Sequence, residues 1–249
     1  EHWTGYYKQS VPSVFTSNGL FRNLNKKILQ NCSLLIPVSA DLGKTINRDF
    51  VTVKYQVIPN VVDTALFNFQ PKHSGRFRFI HPSYLNFQKN PEGILAACLL
   101  LKQKGVDFEM VFIGAQPSSL IEWVNSHDLT DHVYFKQAVP YRVVAEEMQQ
   151  SSSLLLFSRF ENLPCVILEA LCCGLPVISS KVGGIAEVIN DQNGILVNAE
   201  NISELALAME SMITNYSSYD NSAISNKACA QFAYNAVGLQ YARLYAGLD

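Results

Sequence analysis

Two glutamates, Glu161 and Glu169, stand with seven residues between them in the segment Ser158-Arg159-Phe160-Glu161-Asn162-Leu163-Pro164-Cys165-Val166-Ile167-Leu168-Glu169. An ionised carboxylate accepts hydrogen bonds at both oxygens, so each can hold the vicinal hydroxyls of a sugar. The apolar run Leu154 to Phe157 just upstream reads as a buried strand. The segment therefore begins at the C-terminal end of a strand, where open α/β sheets place ligands. A helix is expected to start at about Leu163 or Pro164, with Asn162 as its N-cap and Pro164 in its first turn. The first N–H groups of such a helix form an anion site. Glu161, just before the helix, could hold a sugar lying beyond a phosphate, and Glu169, nearly two turns in, could hold a ribose. An isolated pair of glutamates is more often structural, Glu161 complementing the helix dipole and Glu169 facing solvent. The setting shifts that balance, because Glu169 lies between Leu168 and Ala170 in a stretch otherwise apolar from Leu163 to Val177. A carboxylate in so apolar a helix needs a polar partner.

A second turn, Lys181-Val182-Gly183-Gly184-Ile185-Ala186-Glu187, follows the apolar run Pro176 to Ser180. Paired glycines before a helix let backbone N–H groups approach an anion or a sugar, although a tight strand-to-helix turn needs the same residues. The sequence contains no GxGxxG, no GxxxxGK[ST] and no DxD. A dinucleotide fingerprint and a P-loop are thus disfavoured, and a divalent metal held by DxD has no candidate. A glycoside hydrolase could use Glu161 and Glu169 as an acid and nucleophile pair, but the glycines and the helix start suit a phosphate better.

The elements that must position these residues alternate almost from end to end. Strands are expected at Leu34 to Ser39, Tyr55 to Asn60, Phe77 to Ile80, Phe108 to Ile113, Val133 to Phe135, Leu154 to Phe157, Pro176 to Ser180 and Gly194 to Val197. Helices are expected at Ala40 to Arg48, Pro91 to Lys104, Ile121 to His127, Val143 to Gln150, Pro164 to Cys172, Ile185 to Ile189, Ser203 to Thr214 and Gln231 to Ala246. Continuously apolar strands alternating with helices indicate an α/β fold, a Rossmann-like doubly wound parallel sheet covered on both faces. The polar stretch Phe69 to Gly75 marks the expected boundary. About six strand–helix units follow it, enough for one such domain, whereas the residues before it are too few to close a second sheet.

Composition agrees with a packed domain that has a sizeable core. The 249 residues are 48% hydrophobic and 16% charged, with a net charge of −2. That balance excludes disorder and argues against nucleic acid as the main partner. No apolar run approaches a membrane span. The six cysteines (Cys32, Cys98, Cys165, Cys172, Cys173, Cys229) show no CxxC and no metal-ligand spacing. Buried free thiols in a reducing compartment, the cytoplasm, are the expectation.

The string Ser158-x-x-Glu161-Asn162-Leu163-Pro164-x4-Glu169-Ala170-Leu171-x-Cys173-Gly174-Leu175-Pro176-Val177-Ile178, followed by Gly183-Gly184-x-x-Glu187, resembles the pattern of glycosyltransferase family 4. Ile36 to Ser39, Val57 to Asp63, Ile113-Gly114 and Tyr241 to Tyr245 are similar to further stretches of that family, so the resemblance runs over nearly the whole chain. It implies the GT-B fold, two Rossmann-like domains with a cleft between them. It implies for this chain the tail of the N-terminal, acceptor-side domain over residues 1–70, the nucleotide-sugar-binding domain over 71–230, and a helix over 231–249 crossing back to the first domain. The chain is then expected to be an incomplete, inactive part of a longer enzyme.

By the same resemblance Glu161 contacts the transferred sugar and Glu169 the ribose. Backbone groups around Asn162, Leu163 and Pro164 meet the sugar and diphosphate, with Gly183, Gly184 and Gly114 beside them. Lys89 matches the basic residue that neutralises the diphosphate, and His2 in Glu1-His2-Trp3-Thr4 matches a histidine that contacts the donor sugar. The family usually carries Gly-Arg five positions before that lysine, where this chain has Ser83 and Tyr84, so one cation of the pattern is replaced. The implied reaction moves a sugar, with retention, from a UDP- or GDP-linked donor to a glycan, lipid-linked or small-molecule acceptor. It uses no metal or other cofactor, and it leaves room for peripheral contact with the inner face of a membrane. A nucleotide-sugar epimerase on the same fold and a non-catalytic nucleotide-sugar-binding module are the alternatives.

Overall fold

The computed structural model describes residues 3–71 and 75–247, so His2 lies outside the described residues. Six strands form one sheet: β1 (Arg78–Ser83), β2 (Glu109–Gly114), β3 (Val133–Gln137), β4 (Ser153–Leu156), β5 (Val177–Ser180) and β6 (Gly194–Val197). Their order is β3-β2-β1-β4-β5-β6, and every pair is parallel. This is the Rossmann-like doubly wound arrangement that the alternating pattern predicts. Both faces of the sheet are packed. Phe79, Phe112 and Leu155 point into one apolar cluster with α3 (Pro91–Gln103) and α7 (Ile202–Thr214). Their neighbours Ile80, Val111, Ile113, Leu154 and Leu156 point into the other, as the two-residue strand period requires. That second cluster takes in Val14, Leu29, Leu42 and Ile46 from the N-terminal region and Ile167 and Leu168 from α6 (Cys165–Cys172).

The N-terminal region carries α1 (Gly19–Asn31) and α2 (Ala40–Asp49). The strands expected at Leu34 to Ser39 and Tyr55 to Asn60 are not formed. They meet in one isolated parallel bridge, Leu35 to Tyr55. Three backbone bonds join them, Leu35 N–H to the Lys54 carbonyl, Gln56 N–H to the Leu35 carbonyl and Ile58 N–H to the Pro37 carbonyl, and Pro37, with no N–H to donate, leaves the pairing short of a regular ladder. The residue pattern does not delimit α1, whose Leu20, Leu24 and Ile28 stand 72%, 50% and 66% exposed. The remaining helices are α4 (Ser118–Ser126), α5 (Tyr141–Gln149), α8 (Asn221–Phe232) and α9 (Tyr234–Ala246). The single terminal helix expected from Gln231 is thus the end of α8 plus α9. The break falls at Ala233, beside the bridge between Val62 and Ala233, where the Val62 N–H donates to the Phe232 carbonyl at 2.8 Å. A contact distant in sequence, not a helix-breaking residue, ends α8. The helix expected at Ile185 to Ile189 is a 3-10 turn over Gly183–Glu187. Cys165 is exposed, not buried, because it occupies the first position of α6 at the mouth of the sheet. Among the described residues no helix is long and apolar enough to cross a membrane.

Candidate functional site

β1 and β4 are neighbours in the sheet although three helices and two strands separate them in sequence. The chain leaves β1 toward one side and β4 toward the other, which opens a crevice at their C-terminal ends. The loop after β1 carries Lys89 and the loop after β4 carries Glu161, and the two meet there. The Lys89 Nζ donates to Glu161 Oε1 at 2.5 Å, with the lysine side chain 17% and the glutamate side chain 5% exposed. Ser158 Oγ donates to the same oxygen at 2.7 Å, and Gln88 Nε2 approaches Oε2 at 3.3 Å. The two loops are also tied by the Arg159 N–H to the Gln88 carbonyl at 2.8 Å and by Gln88 Nε2 to the Phe160 carbonyl at 3.0 Å. The Arg159 guanidinium lies 4.2 Å from the centre of the Phe87 ring and bonds Glu200. Lys89 ends a 3-10 turn, Phe87–Lys89, capped by Asn86. Asn90 then adopts a left-handed conformation and caps α3.

The next residues form a cleft of about 260 Å³ lined by Thr4, Asn60, Glu161, Asn162, Leu163, Pro164 and Cys165. Pro164, not Asn162, is the N-cap of α6, and no side chain caps that helix. The Asn162 side chain is engaged elsewhere, its Oδ1 accepting from Ser39 Oγ at 3.1 Å. Its Nδ2 is buried without a partner. Gly184 donates its N–H to the Asn162 carbonyl at 2.8 Å, so that amide is spent on the turn and is not offered to an anion. Gly183 has φ +54°, and a Cβ there would lie 2.1 Å from the Glu161 carbonyl oxygen. The glycine pair therefore lets the 183–184 backbone lie directly against the Glu161-Asn162 turn. Three residues on, both Glu187 oxygens accept the first N–H groups of α2, Ala40 at 2.9 Å and Asp41 at 2.8 Å. Ser39, the N-cap of α2, completes the link to Asn162.

Glu169 sits differently. It is 7% exposed in α6, and the Tyr141 hydroxyl donates to its Oε1 at 2.6 Å. Burial raises its pKa and the bond from Tyr141 lowers it, burial being the larger influence. Burial and the adjacent carboxylate also push the Tyr141 hydroxyl up, so the phenol keeps its proton and remains the donor.

The turn after β1 is held from below. His81 is fully buried, and its Nδ1 lies 2.8 Å from the Leu155 carbonyl, which can only accept. Burial pushes its pKa down to about 4, so the ring is neutral and Nε2 accepts from Ser83 Oγ at 2.8 Å. Ser83 Oγ in turn accepts the Leu85 N–H at 3.1 Å. A Cβ at Gly114 (φ +141°) would stand 1.9 Å from the Ser83 carbonyl oxygen, so the neighbouring strand end must be glycine.

The sequence profile of the glycosyl transferases group 1 family matches residues 63–236. The chain belongs to this family. It is 25% identical over 224 residues to D-inositol 3-phosphate glycosyltransferase of Arthrobacter sp. (strain FB24), covering 84% of this chain and 51% of that protein. The chain thus spans about half the length of this curated relative. The fold matches a sucrose-phosphate synthase from Thermosynechococcus elongatus with a TM-score of 0.85 at 21% identity, over 99% of this chain and 66% of that one. It also matches Anabaena HepE in complex with UDP-glucose with a TM-score of 0.78 at 19% identity, over 96% of this chain and 70% of that one.

Within this group 1 domain the structure brings together Glu161, Lys89, Asn162, Leu163, Pro164, Gly183 and Gly184. Ser83 and Gly114 pair side by side at the ends of β1 and β2. Tyr84 is 85% exposed on the turn after β1. Glu169 lies farther along α6, outside the described lining of the cleft. Gln88, Tyr141, His81 and the capping role of Glu187 do not stand out in the sequence as part of the site. A histidine inside an apolar strand, as in Phe79-Ile80-His81, was the one available signal, since a buried imidazole must find partners. Tyr141 and Gln88 carry no such mark, because their partners are distant in sequence.

Proposed function

We propose that this chain is the donor-binding part of a retaining glycosyltransferase of family 4 type, acting on a nucleoside diphosphate sugar. The observation that carries the reading is the meeting of Lys89 and Glu161 at the crevice between β1 and β4, directly before the side-chain-uncapped start of α6. A cation and a helix N-terminus suit a diphosphate, and a buried carboxylate beside them suits the hydroxyls of the attached sugar. The presence of UDP-glucose in the structure of a fold neighbour supports a uridine-type donor. In the domain arrangement proposed with this reading, residues 1–70 are the tail of an acceptor-side domain, 71–230 hold the donor, and 231–249 cross back.

In the reaction, the bond between the anomeric carbon and the diphosphate oxygen breaks. The acceptor oxygen bonds to the anomeric carbon on the same face, and its proton passes to the leaving phosphate oxygen. No protein nucleophile is needed. Lys89 and the amide dipoles of the first turn of α6 stabilise the charge on the departing diphosphate. Glu161 holds the transferred sugar, and Glu169 holds the ribose. The absent DxD, together with the Lys89 cation and the first-turn amides of α6, supports donor binding without a metal.

Calorimetric titration with UDP, with and without EDTA, tests this reading. Binding that survives EDTA and weakens about tenfold or more in Lys89→Ala is expected. Binding abolished by EDTA and restored by Mg²⁺, or binding indifferent to Lys89, contradicts it.

A further inference from the structure

Glu169 has a problem that its position creates. A ribose held by this residue needs an ionised carboxylate, yet its place in α6 among Leu168, Ala170 and Leu171 favours the protonated form. The partner that opposes this is the Tyr141 hydroxyl, 2.6 Å from Oε1. Tyr141 is the first residue of α5. Its ring packs on the fully buried Phe67 with centroids 4.8 Å apart. That contact fixes the ring although half of the residue is exposed.

The other groups that sense these two residues are few. On α6 itself the thiols of Cys165 and Cys172 face Glu169, and Cys172 in turn meets Cys229 of α8. From α9, Tyr234 faces Tyr141. Lys89 acts on Cys165. Among the described residues, the bond from Tyr141 is what favours the Glu169 anion.

Resting on the reading of Glu169 as the ribose ligand, we propose that Tyr141 is a positioning residue of the donor site. Its hydroxyl takes one carboxylate oxygen and leaves the other for the ribose. It fixes the rotamer of Glu169 and opposes the rise that burial imposes on its pKa, which favours the ionised acceptor. The phenol touches Glu169 and not the reacting atoms, so its effect is on donor binding and on the pH at which binding is lost.

The sign follows from the direction of each effect. Donor binding needs the anion, so it is present above the Glu169 pKa and lost as pH falls through it. Removing the Tyr141 hydroxyl removes the influence that lowers that pKa. The acid limb of binding therefore moves to higher pH in Tyr141→Phe.

Two measurements on the full chain test this. The first follows the Glu169 carboxyl by carbon-13 NMR against pH, in the native protein and in Tyr141→Phe, assigned with Glu169→Gln. The second measures UDP affinity by calorimetry across pH 5 to 8 for the same three proteins. In Tyr141→Phe both the carboxyl midpoint and the acid limb of binding are expected to rise by about one pH unit. In Glu169→Gln, UDP binding is expected to weaken about tenfold or more and to lose that acid limb. A carboxyl midpoint and binding profile unchanged by Tyr141→Phe, while Glu169→Gln still weakens UDP, overturn the role of Tyr141 alone. Full UDP affinity in Glu169→Gln overturns the ribose reading, and with it the place of Tyr141 in the donor site, whatever the NMR midpoint does.

Discussion

Glu161 and Glu169 are both buried and stand eight residues apart, yet the protein treats them in opposite ways. Glu161 is surrounded by charge and by hydrogen-bond donors: Lys89, Ser158 and Gln88 converge on it, and the Gly183-Gly184 backbone abuts its own peptide. Glu169 has a phenol and an apolar helix. The difference follows from topology. Glu161 stands where the loops after β1 and β4 face each other, so partners arrive from two directions. Glu169 stands inside α6, where its neighbours are core residues and a partner must reach in from α5. The first carboxylate is fixed by a network, and the second depends on one bond.

Breaking the network should have the largest effect. Lys89→Ala leaves Glu161 buried without its counter-charge, and a loss of about 3–5 kcal/mol of folding stability is expected from denaturant titration. Combining Lys89→Met with Glu161→Gln should restore most of that loss, because the uncompensated charge is then gone. Beneath the β1 turn, His81 holds Ser83 and, through it, the Leu85 N–H. Because His81 titrates near pH 4 when folded and near 6.5 when unfolded, its contribution to stability is complete above about pH 6.5. Stability should therefore fall as pH drops from 6.5 toward 4, by an amount on the order of 3 kcal/mol from this group. Replacing His81 by Asn should remove that component from the pH dependence of the urea midpoint. Gly183→Ala should cost about 2–3 kcal/mol, since the new Cβ meets a carbonyl oxygen at a positive φ. The smallest effect is expected at Glu187→Gln. It weakens the cap on α2 by about 1 kcal/mol, read as a modest drop in the thermal midpoint.

Much of this was legible in the residues. The six parallel strands follow from continuously apolar runs separated by helical patterns, and the strand before Ser158 located the crevice. The paired glycines read as a place of close backbone approach, and the approach seen there is to the Glu161-Asn162 turn, with the Gly184 N–H on the Asn162 carbonyl. Asn162 reads as a helix cap by type and place, yet Ser39, far away in sequence, claims its side chain. The segments around Pro37 and Pro59 read as strands by composition, and only the short pairing of residues 35–37 with 54–58 forms. Glu169 illustrates the boundary most clearly. Its apolar neighbours announced the need for a partner. Nothing local could name Tyr141, because it lies 28 residues away in sequence on another helix.

The division of labour between the two carboxylates is tested most directly by titrating Glu161→Gln and Glu169→Gln with UDP-glucose and with UDP. Glu161→Gln should bind UDP as the native chain does and lose the added affinity for the sugar-bearing ligand. Glu169→Gln should weaken both ligands by about 1.5–3 kcal/mol, roughly tenfold to a hundredfold. Equal losses for both ligands in Glu161→Gln, or native UDP affinity in Glu169→Gln, would contradict the assignment.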